Sequence, residues 1–229
     1  MHDIVYVLRK GIAGDELRYS LRSLANFPHG KVVFMGGVPE NAIPDIMIPL
    51  EQRGVSVYQK TRYTIAQACK RPEISENFWL FNDDFFVMQK ADFAEAYYDR
   101  TIYRRTQQIK RARGGLTSLY TVELERTRAE LQAARVKTIN YETHTPMLIN
   151  KAKMLEALDT FPRCTLIRSV YGNYWHVVGE QLADPKISSL DVEPKGHTLF
   201  LSTNDESFAG GRVGEIIRDA FPEKCDYEI

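Results

Sequence analysis

Three polar residues, Asn82-Asp83-Asp84, break the apolar run Phe78-Trp79-Leu80-Phe81 from Phe85-Phe86-Val87-Met88, and that break sets the terms for the whole chain. Aromatic and branched residues without Gly or Pro read as a strand buried on both faces of a sheet. Asp and Asn are poor strand residues, and ionised carboxylates are costly to bury without partners. Two readings stand: Asp83 and Asp84 sit where the strand ends and meet a cation, or Asn82 to Asp84 form a turn that caps a hairpin or the next helix.

Upstream, strands and helices alternate. Ile4 to Leu8 reads as a first buried strand, followed by a loop through Arg9-Lys10-Gly11 and Gly14, with Asp15 as a helix start. Leu17, Leu21 and Leu24 recur at helical spacing, and Arg18 and Arg22 form a row one turn apart on another face. Lys31 to Met35 is a second strand ending in Gly36-Gly37, and Val55 to Tyr58 after Gly54 reads as a third. Ile65 to Lys70 reads as helical. The alternation predicts an α/β fold, mainly a parallel sheet with flanking helices, in which ligands bind beyond the carboxyl ends of the strands. Gly36-Gly37 is no dinucleotide fingerprint, since a third glycine is missing and Pro39 follows.

The length of 229 residues suffices for a substantial core, and one domain is expected over 1–229. A formal net charge of zero argues against a protein that coats nucleic acid through bulk electrostatics, and leaves local basic patches open. Cys69, Cys164 and Cys225 are odd in number and widely spaced, which indicates neither a disulfide framework nor a zinc site. The first apolar run is too short for a signal segment and no other approaches a membrane span. A cytoplasmic protein is expected, with peripheral membrane association left open.

Ala91 to Tyr103 reads as helical and leads into Arg100, Arg104, Arg105, Lys110, Arg111 and Arg113, closed by Gly114-Gly115. These six charges in fourteen residues are either a solvated face offset by the acidic helix that follows, Val122 to Val136, or a groove for anions. The segment at about 90–137 is expected to be a helical insertion. His144 then precedes a rigid Thr145-Pro146 step among polar residues, unlike a core histidine; a structural or merely exposed role is the commoner meaning of such a residue, and catalysis the rarer. Lys151 to Leu158 is a helix, and Arg168 to His176 an aromatic segment with one cation. Thr198 to Ser202 is a last strand, and it too breaks into Asn204-Asp205-Glu206.

Two strand ends that each present Asn-Asp, with a histidine and an arginine between them in sequence, suit metal-assisted transfer from a nucleotide diphosphate. Carboxylate and amide oxygens favour Mg²⁺ or Mn²⁺ with positions left for phosphate oxygens. Arginine binds phosphates through a planar fork, and histidine takes a proton from an attacking hydroxyl. Attack at phosphorus and attack at an anomeric carbon need nearly the same groups.

Four stretches in order carry a family resemblance: Asp15-Glu16-Leu17-Arg18-Tyr19-Ser20-Leu21-Arg22-Ser23-Leu24; Phe81-Asn82-Asp83-Asp84-Phe85-Phe86; His144-Thr145-Pro146 with Arg168 downstream; and Asn204-Asp205 with Phe221-Pro222-Glu223-Lys224. With them the chain resembles the Stealth proteins, sugar-phosphate transferases of bacterial capsule synthesis related to the lysosomal-enzyme N-acetylglucosamine-1-phosphotransferase. The resemblance implies a nucleotide-diphospho-sugar transferase-like fold and a reaction in which a sugar hydroxyl of a glycan acceptor attacks the β-phosphorus of a UDP-sugar donor, releasing UMP. It implies Asn82, Asp83, Asp84, Asn204 and Asp205 as ligands of Mg²⁺ or Mn²⁺. His144 becomes the acid/base, with Asp83 and Arg168 as its catalytic companions and Arg168 facing the phosphates. Glu16, Arg18 and Arg22 would line the nucleotide pocket. The competing readings are a glycosyltransferase on a related fold, moving the sugar alone and releasing UDP, and a non-catalytic nucleotide-sugar or carbohydrate-binding protein.

Overall fold

In the computed structural model, which describes residues 1–11, 15–194, 196 and 198–229, the two faces of one sheet account for most of the apolar sequence. Strand β1 (Asp3–Leu8) is followed by helix α1 (Asp15–Ser23), β2 (Val32–Gly36), β3 (Ile46–Pro49), α2 (Val57–Ala68) and β4 (Asn77–Phe81). Then come β5 (Phe85–Val87), β6 (Tyr97–Tyr98), α3 (Ile102–Ala112), α4 (Leu119–Ala133), β7 (Met147–Asn150), α5 (Lys151–Thr160) and α6 (Ile167–Tyr174). The chain closes with β8 (Glu180–Gln181), β9 (Phe200–Ser202), α7 (Asp205–Gly210) and α8 (Arg212–Ala220). Gly14, part of the loop expected before the first helix, lies outside the described residues.

The main sheet has the order β3-β2-β1-β4-β7, parallel except for β7, which pairs antiparallel with β4. It is the α/β architecture with a mainly parallel sheet and flanking helices that the alternation predicts. Successive side chains leave a strand on opposite faces. Ile4, Tyr6, Leu8, Trp79 and Phe81 therefore meet Leu17, Leu21 and Leu24 on one side. Val5, Val33, Phe78 and Leu80 meet Ile65, Ala68, Met154 and Leu158 on the other. Burial on both faces is why these strands are continuously apolar.

The apolar run at Phe78 to Met88 is two strands rather than one. After β4 the chain turns at Asn82 to Asp84, and β5 leaves the main sheet to pair antiparallel with β9 in the register Phe85 to Ser202, Phe86 to Leu201 and Val87 to Phe200. Side chains of the first helical segment cover the other edge of β5: Ser20 Oγ donates to the Phe85 carbonyl at 2.6 Å, Val87 N–H donates to Ser23 Oγ at 3.0 Å, and Asn26 Nδ2 donates to the Val87 carbonyl at 2.9 Å. A buried strand edge needs partners for its peptide groups, and here three polar side chains supply them.

Two expected elements are corrected. Val55 to Tyr58 is not a strand: Ser56 accepts the Gln59 N–H and caps α2, leaving Val57 63% exposed, and the third strand is instead Ile46–Pro49. The cap outweighs the weak β preference of two valines. Ala91 to Tyr103 is not a helix either, because Tyr97 packs edge-on against Phe200 with centroids 5.2 Å apart and Tyr97–Tyr98 pair with β8. Helix begins only at Ile102, where Thr101 supplies the cap.

Helices α3 and α4 form a hairpin whose inner side, Ile102, Leu124 and Leu131, packs on Ala157, Phe161, Leu166 and Val170. Part of the basic run is paired: Arg100 with Asp99, Arg105 with Asp184, and Lys110 with Glu125 of α4. Among the described residues, no helix is long and apolar enough to cross a membrane.

Candidate active site

The order of the parallel strands reverses between β1 and β4, and a crevice forms beyond the carboxyl ends at such a point. The crevice is a cleft of about 1480 Å³ lined by Arg9 after β1, Gly36 at the end of β2 and Gly37 after it, Asn82, Asp83 and Asp84 after β4, Glu16 of α1, and Lys186, Thr203 and Asp205. The two acid-tipped segments converge there because of the β5–β9 register: past Phe85 and Ser202, the next positions are Asp84 and Thr203.

Each carboxylate has a distinct environment. Asp84 Oδ2 accepts from Lys186 Nζ at 2.5 Å and from Ser202 Oγ at 3.0 Å. Among the described residues no cation is bonded to Asp83; burial and the neighbouring Asp84 charge push its pKa up to about 6. Glu16 accepts from Thr203 Oγ1 at 2.5 Å, and burial, with the negative charges around it, raises it to about 7. Asp205 pairs with Arg9 at 3.2 Å; its pKa is lowered by a hydrogen bond with Glu16 and by Arg9. These four carboxyl groups, with Glu51 and Glu206 also on the cleft wall and two of the four held well above the ordinary range, mark a place where positive charge is wanted.

The expected set of five metal ligands contracts. Asn204 Oδ1 accepts the Ser207 N–H at 2.9 Å as the cap of α7, Asn82 Oδ1 accepts from Arg168 Nη2 at 3.2 Å, and Asp205 is held by Arg9. Asn204 is thus a capping residue in this structure. Among the described residues there is no group of three or more His, Cys, Asp or Glu side chains gathered into a ready-made metal centre. What remains, Asp83 and the second oxygen of Asp84, still fits Mg²⁺ or Mn²⁺, because such ions are commonly held by one or two carboxylates and completed by water and substrate phosphates.

His144 lies beside the main cleft, on a smaller cavity that shares Val57, Thr61 and Asn82 with it. Its Nδ1 is 2.9 Å from Asp184 Oδ1, and that oxygen also accepts the His144 backbone N–H at 3.2 Å. Arg105 Nη2 donates to the other Asp184 oxygen at 2.7 Å. Burial alone would raise the Asp184 pKa, but the hydrogen bond and charge of His144 and the charge of Arg105 outweigh it and hold the group far below the usual carboxylate range. An ionised Asp184 at Nδ1 favours the tautomer with hydrogen on Nδ1 and leaves Nε2 as the basic nitrogen.

Arg168 is buried. It reaches Asn82 and the Thr143 carbonyl, lies 5.1 Å from the Phe85 ring centroid, and has its pKa lowered by burial. Phe85 also meets the His144 ring edge-on at 6.2 Å, so one aromatic ring sets the spacing of both groups.

Arg18 and Arg22 are elsewhere, which corrects their expected role at a nucleotide. Both bind Glu228 near the C-terminal end of the chain, Arg18 Nε at 2.8 Å and Arg22 Nε at 2.6 Å, and Arg22 also donates to the carbonyls of Phe221 and Pro222. Glu16, from the same motif, does line the cleft. Sequence reasoning missed Asp184, Lys186 and the cleft role of Arg9. Of these, only Arg9 carried a signal, as a cation directly after a buried strand.

No family model matches the chain, and no curated protein matches it significantly. Among solved structures, it is similar to the galactosyltransferase LgtC in complex with donor and acceptor sugar analogues, with a TM-score of 0.47 and 11% identity over 98% of each chain. A likeness that distant carries no statement about chemistry. The Stealth resemblance rests on its four motifs alone.

Proposed function

We propose that this protein is a metal-assisted transferase that moves a sugar-1-phosphate from a UDP-sugar to a hydroxyl of a sugar acceptor. The observation that carries the reading is the meeting of Asp83 and Asp84 with Lys186 and Arg9 in one cleft that adjoins the His144–Asp184 pair. The donor diphosphate lies at the strand ends. Asp83 and Asp84 would hold Mg²⁺ or Mn²⁺, which when bound neutralises phosphate charge. Arg9 and Lys186 line that cleft and are the cations available to the phosphate oxygens, and Arg168 reaches its edge only through the hydrogen bond to Asn82.

His144 Nε2 takes the proton of the acceptor hydroxyl as its oxygen bonds to the β-phosphorus. The bond from that phosphorus to the bridging oxygen breaks, and UMP leaves with the electron pair. Asp184 holds the imidazole by Nδ1 and balances the charge it acquires, a division of labour known from Asp-His pairs in hydrolases.

The test is incubation with a panel of UDP-sugars, Mg²⁺ and candidate glycan acceptors, reading the liberated nucleotide. UMP appearing with a phosphodiester product supports the reading. UDP would instead assign glycosyl transfer at the same site. No release, with UDP-sugar binding unchanged in Asp83→Asn, would make Asn82 to Asp84 a structural turn in a binding protein.

A further inference from the structure

The smaller cavity beside the main cleft has a volume of about 320 Å³. That is the low end of small-molecule pockets, roughly 300–1,000 Å³, and gives room for one sugar ring rather than an extended oligosaccharide. The geometry points to this cavity as the acceptor subsite, which takes a single uncharged sugar ring with its attacking hydroxyl at His144. The assignment rests on the transferase reading above and adds to it where the acceptor binds and what it is.

Two tyrosines form the apolar side. Tyr58 of α2 and Tyr120 of α4 line the cavity, with ring centroids 6.0 Å apart and planes within 24° of parallel. Flat aromatic rings bury the C–H face of a pyranose. The polar side is Glu142, one oxygen of which accepts the Ser169 N–H at 2.8 Å. A carboxylate offers only acceptors, which suits the hydroxyl donors of a sugar. Glu142 and Arg168 both line the cavity, so its formal charges cancel and an uncharged polyhydroxylated ring fits it better than an anionic one. His144 completes the wall, and Asn82 opens it onto the donor cleft. A hydroxyl held there faces both the base and the phosphates.

The layout divides the labour within the fold. Donor groups come from the ends of the sheet, whereas Tyr120 comes from the α3–α4 hairpin, so acceptor choice lies partly in the helices inserted between β6 and β7.

The experiment uses the full chain with the methyl glycosides of glucose, galactose, mannose and N-acetylglucosamine, followed by saturation-transfer NMR. Tyr120→Ala and Glu142→Gln are compared with the parent, and Mg²⁺-dependent binding of the UDP-sugar panel is followed by calorimetry in parallel. Glu142→Gln keeps an oxygen for the Ser169 N–H, and thermal unfolding shows which variants are folded before their binding is read. At least one glycoside is expected to bind, with affinity about ten-fold weaker in each folded variant and UDP-sugar affinity within about two-fold of the parent. No binding by any of the glycosides, or binding that neither substitution weakens, overturns the subsite. Glycoside binding that depends on Tyr120 and Glu142 in a parent that binds no UDP-sugar would support a sugar pocket here while refuting the donor assignment.

Discussion

Replacing Glu228 by Gln tests whether the arginine row of α1 is a structural clasp rather than a nucleotide contact. The Glu228 side chain is fully buried; it binds Arg22 through both oxygens at 2.6 and 2.9 Å, Arg18 at 2.8 Å, and the Cys225 N–H at 3.1 Å. Burial would raise its pKa, but the hydrogen bonds from Arg22, Cys225 and Arg18 and the Arg22 charge win, and the group falls from 4.5 to about 2. A ten-fold change in proton affinity is worth about 1.36 kcal/mol, so the ionised carboxylate stabilises the fold by about 3 kcal/mol. The folded-state pKa is depressed, so this contribution is complete above the ordinary carboxylate value and is lost as pH falls from about 4.5 to about 2. Urea unfolding at pH 7 should show Glu228→Gln less stable by about 3 kcal/mol, a midpoint drop of roughly 1 M. At pH 3 the gap should shrink to roughly 1.4 kcal/mol, because the parent carboxylate is by then being protonated in the unfolded chain. A gap under about 0.5 kcal/mol at pH 7, the size of an ordinary surface substitution, would refute the clasp. UDP-sugar affinity that fell while stability held would return Arg18 and Arg22 to the substrate.

At the cleft, Asp83→Asn is expected to weaken Mg²⁺-dependent UDP-sugar binding by about ten-fold or more, with unchanged calorimetric binding as the contrary result. Only ionised Asp83 holds a cation, so in the parent that affinity should fall as pH drops through about 6, and the Asn variant should lack this step. Asp184→Asn should lower kcat by roughly 10²–10⁴-fold, the range spanned by general acid–base catalysis, with UDP-sugar Kd nearly unchanged; an intact kcat would remove the His144–Asp184 pair from the chemistry. Ser20→Ala strips the Phe85 carbonyl of a buried donor and should cost about 1–3 kcal/mol in urea unfolding. A neutral result would mean that β5 finds another partner for that edge.

The parts of the fold that could be read ahead were those whose cause is local. Strands β1, β2 and β4 carry unbroken apolar runs because both their faces are covered, and that condition is written in the residues themselves. Strand β3 is hard to read in the sequence because it sits at the sheet edge, follows Pro44 and ends in Pro49, and only Ile48 among its four residues is buried. Two valines nearby looked more strand-like, although Ser56 commits them to a helix start. The acid tips were legible for the same local reason: a carboxylate that interrupts a buried run has to leave it and find positive charge.

Which positive charge it finds is a different kind of fact. Asp84 is bonded to Lys186, 102 positions away, and His144 to Asp184, 40 positions away. Arg18 satisfies itself on Glu228, 210 positions away, when a phosphate would have served its geometry as well. Side-chain chemistry restricts the partner to a class; the tertiary register picks the member. The Phe85-to-Ser202 pairing makes that choice at the cleft, since a shift by one residue would turn every side chain of β9 to the opposite face. Ser202 would then leave Asp84, and the chain beyond it would no longer deliver Thr203 to Glu16. Ser20 and Ser23 of the Asp15–Leu24 motif, with Asn26 just beyond it, fix β5 along its other edge, so the motif acts on the cleft chiefly by holding this register, with Glu16 as its one residue that reaches the cleft itself.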